Sequence, residues 1–290
     1  MSEHSLVPQK VIDLYDEYTH APLDRRVFLK RLAALAGSTA AAYALLPMLE
    51  NNYANAGETQ PKDSRLTSSD ITIPGPNGEL KGYLTQPKGP GKRGSVLVIH
   101  ENRGLNPYIR DVARRVALAG YNALALDFLS PLGGTPENED EARAMFSQLD
   151  PKQTIANGLT ALAYLKALPN SNGRIGTVGF CWGGGMVNQL AVAAPDLDVA
   201  VSYYGMAPES SLVPQIKAQV LLHYAGVDER INASRPGYEE ALKAADIRYQ
   251  SFTYDGAQHA FYNDTNAARY DKAAADLSWE RTLALFKKAL

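Results

Sequence analysis

The only cysteine of the chain, Cys181, stands at the centre of Gly179-Phe180-Cys181-Trp182-Gly183. The residues before it, 174–178, read as a short buried strand, and 184–194 as a helix with an apolar face. A nucleophile between a strand and a helix occupies a cramped turn, so small residues must flank it where the backbone doubles back. Such a turn lifts the side chain to the carboxyl edge of a sheet and aims the next amide at a developing oxyanion. A thiol attacks as its thiolate and needs a base, and the base needs a carboxylate to fix its tautomer. Both types follow downstream in the order nucleophile, acid, histidine. Asp228 closes Ala225-Gly226-Val227-Asp228 after a strand over 218–224. His259 lies in Gly256-Ala257-Gln258-His259-Ala260-Phe261 after a strand over 249–254. A lone Asp in a glycine-containing turn is ordinarily a turn residue. The combination of order and strand-end placement makes Asp228 and His259 candidate catalytic groups.

Taken with Val98-Ile99-His100-Glu101-Asn102-Arg103-Gly104, these segments resemble the dienelactone hydrolases (carboxymethylenebutenolidases). That branch of the α/β-hydrolase fold uses Cys where most relatives use Ser, and the likeness runs from about Ser69 to the C-terminus. It implies Cys181, Asp228 and His259 as a triad, with the backbone amides of Asn102 and Trp182 as the oxyanion hole. It further implies that Glu101 holds the resting thiol and swings away when an anionic substrate arrives. A carboxylate beside a thiol raises the energy of the thiolate, so the resting sulfur is expected to be a poorly reactive thiol. The family typically places an arginine four residues after the histidine to grip a substrate carboxylate; this chain has Asn263. Arg143, on a helix expected after the fourth strand, and Arg103 are candidate replacements. The implied reaction is opening of a lactone or small carboxylic ester. The alternatives are a broader carboxylesterase, or an exported binding protein without turnover, which would have no need of all three triad members.

Composition narrows the field. With 290 residues, 45% of them hydrophobic, the chain can bury one large core, and no second core is evident. A net charge of −2 gives no reason to expect nucleic acid as a partner. A single cysteine excludes an intramolecular disulfide and a cysteine-rich zinc site. His4, His20, His100, His223 and His259 show no metal-ligand spacing. No phosphate-cradling or dinucleotide fingerprint occurs, so no cofactor and no metal are expected.

The first 56 residues are expected to lie outside the hydrolase domain, which takes 57–290. Asp24-Arg25-Arg26-Val27-Phe28-Leu29-Lys30 resembles a twin-arginine export signal, an apolar stretch covers 32–49, and Ala54-Asn55-Ala56 offers a cleavage site. The stretch is interrupted, so no stable membrane span is expected. Export machinery would be a partner, and the mature protein periplasmic or secreted. Glu3, Asp13, Asp16, Glu17 and Asp24 make this leader unusually acidic. The alternative is a cytoplasmic protein whose N-terminal helices are retained and pack on the domain.

The elements that must position the chemistry follow from periodicity and turn residues. A polar linker is expected over 60–69 and a hairpin over 71–85, with Gly75-Pro76-Asn77-Gly78 as its turn. Strands are expected over 95–100, 121–128 and 199–204. A helix over 107–119 faces inward through Ile109, Val112, Val116 and Ala117, with Arg110, Arg114 and Arg115 mostly outward. Asp150-Pro151 opens a helix reaching about 168, and 267–289 supplies a closing helix. Alternating strands and helices predict an α/β fold, a mostly parallel sheet with helices on both faces.

Overall fold

A computed structural model describes residues 7–21, 23–56 and 59–290. Eight strands form one sheet: β1 (Leu66–Gly75), β2 (Gly78–Pro87), β3 (Arg93–Ile99), β4 (Asn122–Leu126), β5 (Ser171–Phe180), β6 (Val199–Tyr203), β7 (Gln219–Val227) and β8 (Tyr249–Gln258). Their order is β1-β2-β4-β3-β5-β6-β7-β8. β2 runs antiparallel to β1 and β4, and every other pairing is parallel. This is the predicted α/β-hydrolase architecture.

The parallel strands are apolar on both faces because helices cover both. Alternation along β3 sends Val96 and Val98 to one side, where they meet Ile109, Val112 and Val116 of α4 (Pro107–Leu118) and Phe286 of α10 (Lys272–Ala289). Leu97 and Ile99 point the other way. There they join Leu165 of α6 (Pro151–Lys166), Val187 and Leu190 of α7 (Trp182–Ala193), and Leu242 of α9 (Arg235–Ala244). Asp150 caps α6 through its carboxylate to the Gln153 amide at 2.8 Å, ahead of Pro151 in the first turn, as expected.

Three expectations change. Arg114 and Arg115 of α4 are buried, not outward. Both guanidiniums bond the fully buried Asp111, at 3.1 and 2.7 Å, because Thr59, Tyr83 and Asp264 cover that face of the helix. The supposed linker is part of the body: Thr59 bonds Asp111 and β1 begins at Leu66. Besides the clusters on the two faces of the sheet there is a third, separate apolar cluster. Helices α1 (Gln9–His20), α2 (Arg25–Ala36) and α3 (Thr39–Leu49) bury Tyr15, Tyr18, Phe28, Leu32 and Leu49 against one another. Each such side chain is worth about 1.5–3 kcal/mol of burial, which the polar α1 could not gain in isolation.

This N-terminal extension is stitched to the body at both ends. The Asn52 amide donates to Thr265 O at 2.8 Å, and the Ala268 amide to Met48 O at 3.0 Å. Arg25 bridges Glu50 at 2.9 Å and, at 2.8 Å, Asp140 of α5 (Glu139–Met145). Among the described residues no single helix is long and apolar enough to cross a membrane; α2 and α3 together are, but meet at 110°. The expected cleavage point after Ala56 abuts residues 57–58, which lie outside the described residues, as does His4.

Candidate active site

Cys181 sits between β5 and α7 with φ 56° and ψ −116°, a positive-φ conformation that a non-glycine residue adopts only under constraint. The constraint is close packing around the turn. A Cβ on Gly179 would lie 2.2 Å from Gly183 O, and one on Gly183 would lie 2.4 Å from Ile99 O. The flanking glycines are therefore required by backbone approach. Trp182 is the first residue of α7, so its amide has no acceptor within the helix. Its ring stacks on buried His100 at 5.5 Å and 14°. His100 itself is structural: Nδ1 donates to Glu101 O at 2.7 Å, Nε2 accepts from the Phe128 amide at 3.1 Å, and burial lowers its pKa.

Asp228 and His259 come together as the strand order requires, past the ends of neighbouring β7 and β8. His259 Nδ1 donates to Asp228 Oδ2 at 2.6 Å, with both residues buried. That bond leaves Nε2 as the open position of the ring, and Nε2 has no hydrogen-bond partner among the described residues. Burial opposes charge on this imidazole, but Cys181 and Asp228 outweigh it and push His259 up to about 10.

The sulfur has a second neighbour that sequence reasoning missed. His20, the last residue of α1, places Nε2 3.2 Å from Cys181 Sγ. Its Nδ1 donates to Asp16 O at 2.9 Å and lies 3.1 Å from the Asp16 carboxylate. The ring meets His259 edge-on at 4.6 Å. Cys181 Sγ and one nitrogen from each imidazole lie within 4.8 Å of one another, a metal-ligand type of cluster that residue spacing could not reveal. Burial raises the thiol pKa, yet the charges of His20 and His259 bring it well below its ordinary value. These two neighbours favour the thiolate form of the sulfur, where sequence reading expects a quiet thiol.

Glu101 makes no hydrogen bond to Cys181 among the described residues. Its Oε2 accepts from Asn263 Nδ2 at 2.9 Å, and Oε1 has no partner among the described residues. Burial, then the Cys181 charge, push Glu101 up to about 7. Asn263, where the family arginine is expected, is wholly buried in this contact. A carboxyl raised from 4.5 to about 7 binds extra protons in the folded state between those values. Its effect is therefore to make stability fall as pH rises through that window. Glu101→Gln should remove that fall, roughly 3 kcal/mol between pH 4.5 and pH 7.5 relative to the parent. Urea titrations of both proteins at the two pH values check this; parallel pH dependences would disprove it.

Both arginine candidates are engaged within the protein, Arg143 with its Nε left without a partner among the described residues. Arg103 is buried, with Nε 3.4 Å from the Glu139 carboxylate. Arg143 lines the cavity over Cys181, but its guanidinium donates to Tyr18 O and covers the Tyr18 ring at 4.2 Å. Arg230, on the short helix α8 (Glu229–Asn232), also lines that cavity. Buried Arg269 lies beside Glu101, Cys181 and His259, 3.9 Å from the Asp16 carboxylate. Neither had a sequence signal: Arg230 sits on a single-turn helix and Arg269 in a turn, and neither belongs to a motif. The cavity over Cys181 measures about 760 Å³ and is walled by Trp182, Phe146, Met186 and Met206.

A mostly parallel sheet covered by helices on both faces, carrying a cysteine elbow and a His–Asp pair at its carboxyl edge, defines an α/β hydrolase. Residues 80–290 match the Dienelactone hydrolase family. The chain belongs to that family. Residues 3–37 match a family described as YqhI-like. A protein of Synechocystis sp. named "Putative carboxymethylenebutenolidase" is 31% identical over 238 residues, which cover 76% of this chain and 96% of the relative. Escherichia coli K12 "Putative hydrolase fragment YghX" is 53% identical over 113 residues, 38% of this chain and 97% of the fragment. The crystal structure titled "Putative Dienelactone Hydrolase" from Klebsiella pneumoniae superposes with a TM-score of 0.71 at 26% identity, covering 77% of this chain and 99% of its own.

Proposed function

We propose that the protein opens a lactone or small carboxylic ester through an acyl-thioester on Cys181. The observation that carries this reading is a cysteine on a strained elbow, lining a largely apolar cavity, close to an imidazole backed by a carboxylate. Sγ attacks the carbonyl carbon while the amides of Trp182 and Asn102 receive the oxyanion. The acyl group then passes to a water whose proton goes to His259 Nε2, with Asp228 steadying the imidazolium. The engaged Arg103 and Arg143 and the buried Asn263 support an ester without a carboxylate at the family's position, that is, a broader carboxylesterase specificity. A panel of lactones and p-nitrophenyl esters, with Cys181→Ala as control and mass spectrometry of the intact protein during turnover, tests it. An acyl adduct on Cys181 is expected; hydrolysis of the panel by the control protein would overturn it.

For residues 1–56, the arginine pair, apolar run and Ala54-Asn55-Ala56 support export by the twin-arginine machinery and a periplasmic or secreted product. A specific observation favours the second reading, retention of the helices. Asn102 Nδ2 donates to Thr19 O at 2.7 Å, so the oxyanion loop and α1 hold each other. Cutting after Ala56 would strip the wall from the cavity. N-terminal sequencing of the protein purified from its native host is expected to begin at or near Met1. A start near Gly57 would establish processing.

A further inference from the structure

Cys181 lies between two carboxylate-backed imidazoles, and only one of them belongs to the triad. His259 Nδ1 bonds the Asp228 carboxylate; His20 Nδ1 bonds the Asp16 carbonyl and has the Asp16 carboxylate 3.1 Å away. The two rings are not equivalent. His20 lines the 760 Å³ cavity where a substrate must sit, whereas His259 lines only the small space behind it, shared with Glu101 and Arg269. The Asp16 carbonyl fixes the Nδ1–H tautomer of His20, so Nε2 is the atom that exchanges a proton with the sulfur at 3.2 Å. The ring is set by packing: α1 is pinned by Asn102 on Thr19 O, by Arg143 on Tyr18 O and by the Tyr18 hydroxyl on Asp140 at 2.5 Å.

We propose that His20 is a second catalytic acid–base residue, supplied by the N-terminal extension, and that it protonates the leaving alcohol during acylation. The inference rests on Cys181 being the nucleophile. In the microstate that reacts, the thiol proton is on His20 Nε2 and His259 is neutral, leaving a thiolate and an imidazolium faced by Asp16. Attack forms the S–C bond and sends the carbonyl π pair to oxygen. Collapse breaks the bond to the leaving oxygen, which takes the proton from His20 Nε2 and departs as an alcohol. Water then forms its bond to the thioester carbon and gives one proton to His259 Nε2, and the C–S bond breaks to return the thiolate. The acid is released, and the one proton now on His259 returns to His20 through the sulfur, which lies close to both Nε2 atoms. His20 thus serves the first half of the cycle and His259 the second.

The test uses leaving groups of different basicity. A p-nitrophenolate departs without protonation, whereas an alkoxide needs an acid, and a positioned acid contributes about a hundredfold or more. In the full-length protein, His20→Gln should lower kcat/KM for an alkyl ester by about a hundredfold or more, and for the matched p-nitrophenyl ester by less than about tenfold. It should also move the pH dependence of iodoacetamide labelling of Cys181 upward. Equal losses on both esters, or no loss, would overturn the role of His20. Should Cys181→Ala remain active, the underlying mechanism fails instead, so the two failures are distinguishable. Asp16→Asn keeps the ring and its volume, and should show the same selective loss in weaker form; this decides the matter if His20→Gln does not fold.

Discussion

Cys181→Ala should cut ester turnover by about a thousandfold or more while the protein stays folded. The loss is large because the nucleophile works as one unit with its base, and no other thiol exists to take its place. The fold should survive because the substitution removes one atom from a side chain at the edge of the cavity, and leaves the glycines that permit the elbow untouched. Alanine must accept the same positive φ of 56°, as cysteine already does. Removing the thiolate also removes the charge that lifts His259, so the imidazole should titrate lower in the variant. Turnover with the panel of esters, thermal melting and NMR titration of His259 check the three parts. Retained turnover in a well-folded variant would sink covalent catalysis at Cys181.

His259→Ala is expected to be nearly as damaging, and Asp228→Asn somewhat less, about a hundredfold to ten-thousandfold. His259 has to accept the proton of the attacking water, and in this site it is the imidazole with an open nitrogen beside the sulfur. Asp228 orients rather than reacts: its Oδ2, 2.6 Å from Nδ1, holds the tautomer that leaves Nε2 open. An amide in its place can present its N–H to the ring and stabilise the wrong tautomer. The losses should not add: Cys181→Ala with His259→Ala should be little worse than either alone. A silent Asp228→Asn would mean that another carboxylate serves the ring, and Asp16, acting through His20, is the one in place to do so. Burst and single-turnover kinetics separate the steps, since loss of His259 should stall the acyl-enzyme rather than prevent its formation.

The contrast between legible and hidden features runs through particular residues. The elbow was readable because much of its geometry is local: Gly179 is dictated by backbone approach within five residues of sequence, although Gly183 answers to Ile99 at the end of β3. Asp228 and His259 were readable because parallel strands deliver their carboxyl ends to one edge, so order along the chain becomes proximity in space. The sheet followed from short continuous apolar runs, which burial between two helix layers requires. The environments of these groups were not readable. Arg114 and Arg115 seemed solvated until Thr59 and Asp264 closed over them. Glu101 seemed a partner of the thiol, but Asn263, 162 residues away, takes its carboxylate. His20 lies 161 residues from Cys181 and carries no motif, since a single histidine at the end of a polar helix means nothing until that helix is docked. Sequence determined which atoms can react, because that is a matter of residue type and local geometry. The tertiary structure alone decided their charge and their second neighbour, because burial and Coulomb interactions depend on distance in space and not on separation along the chain.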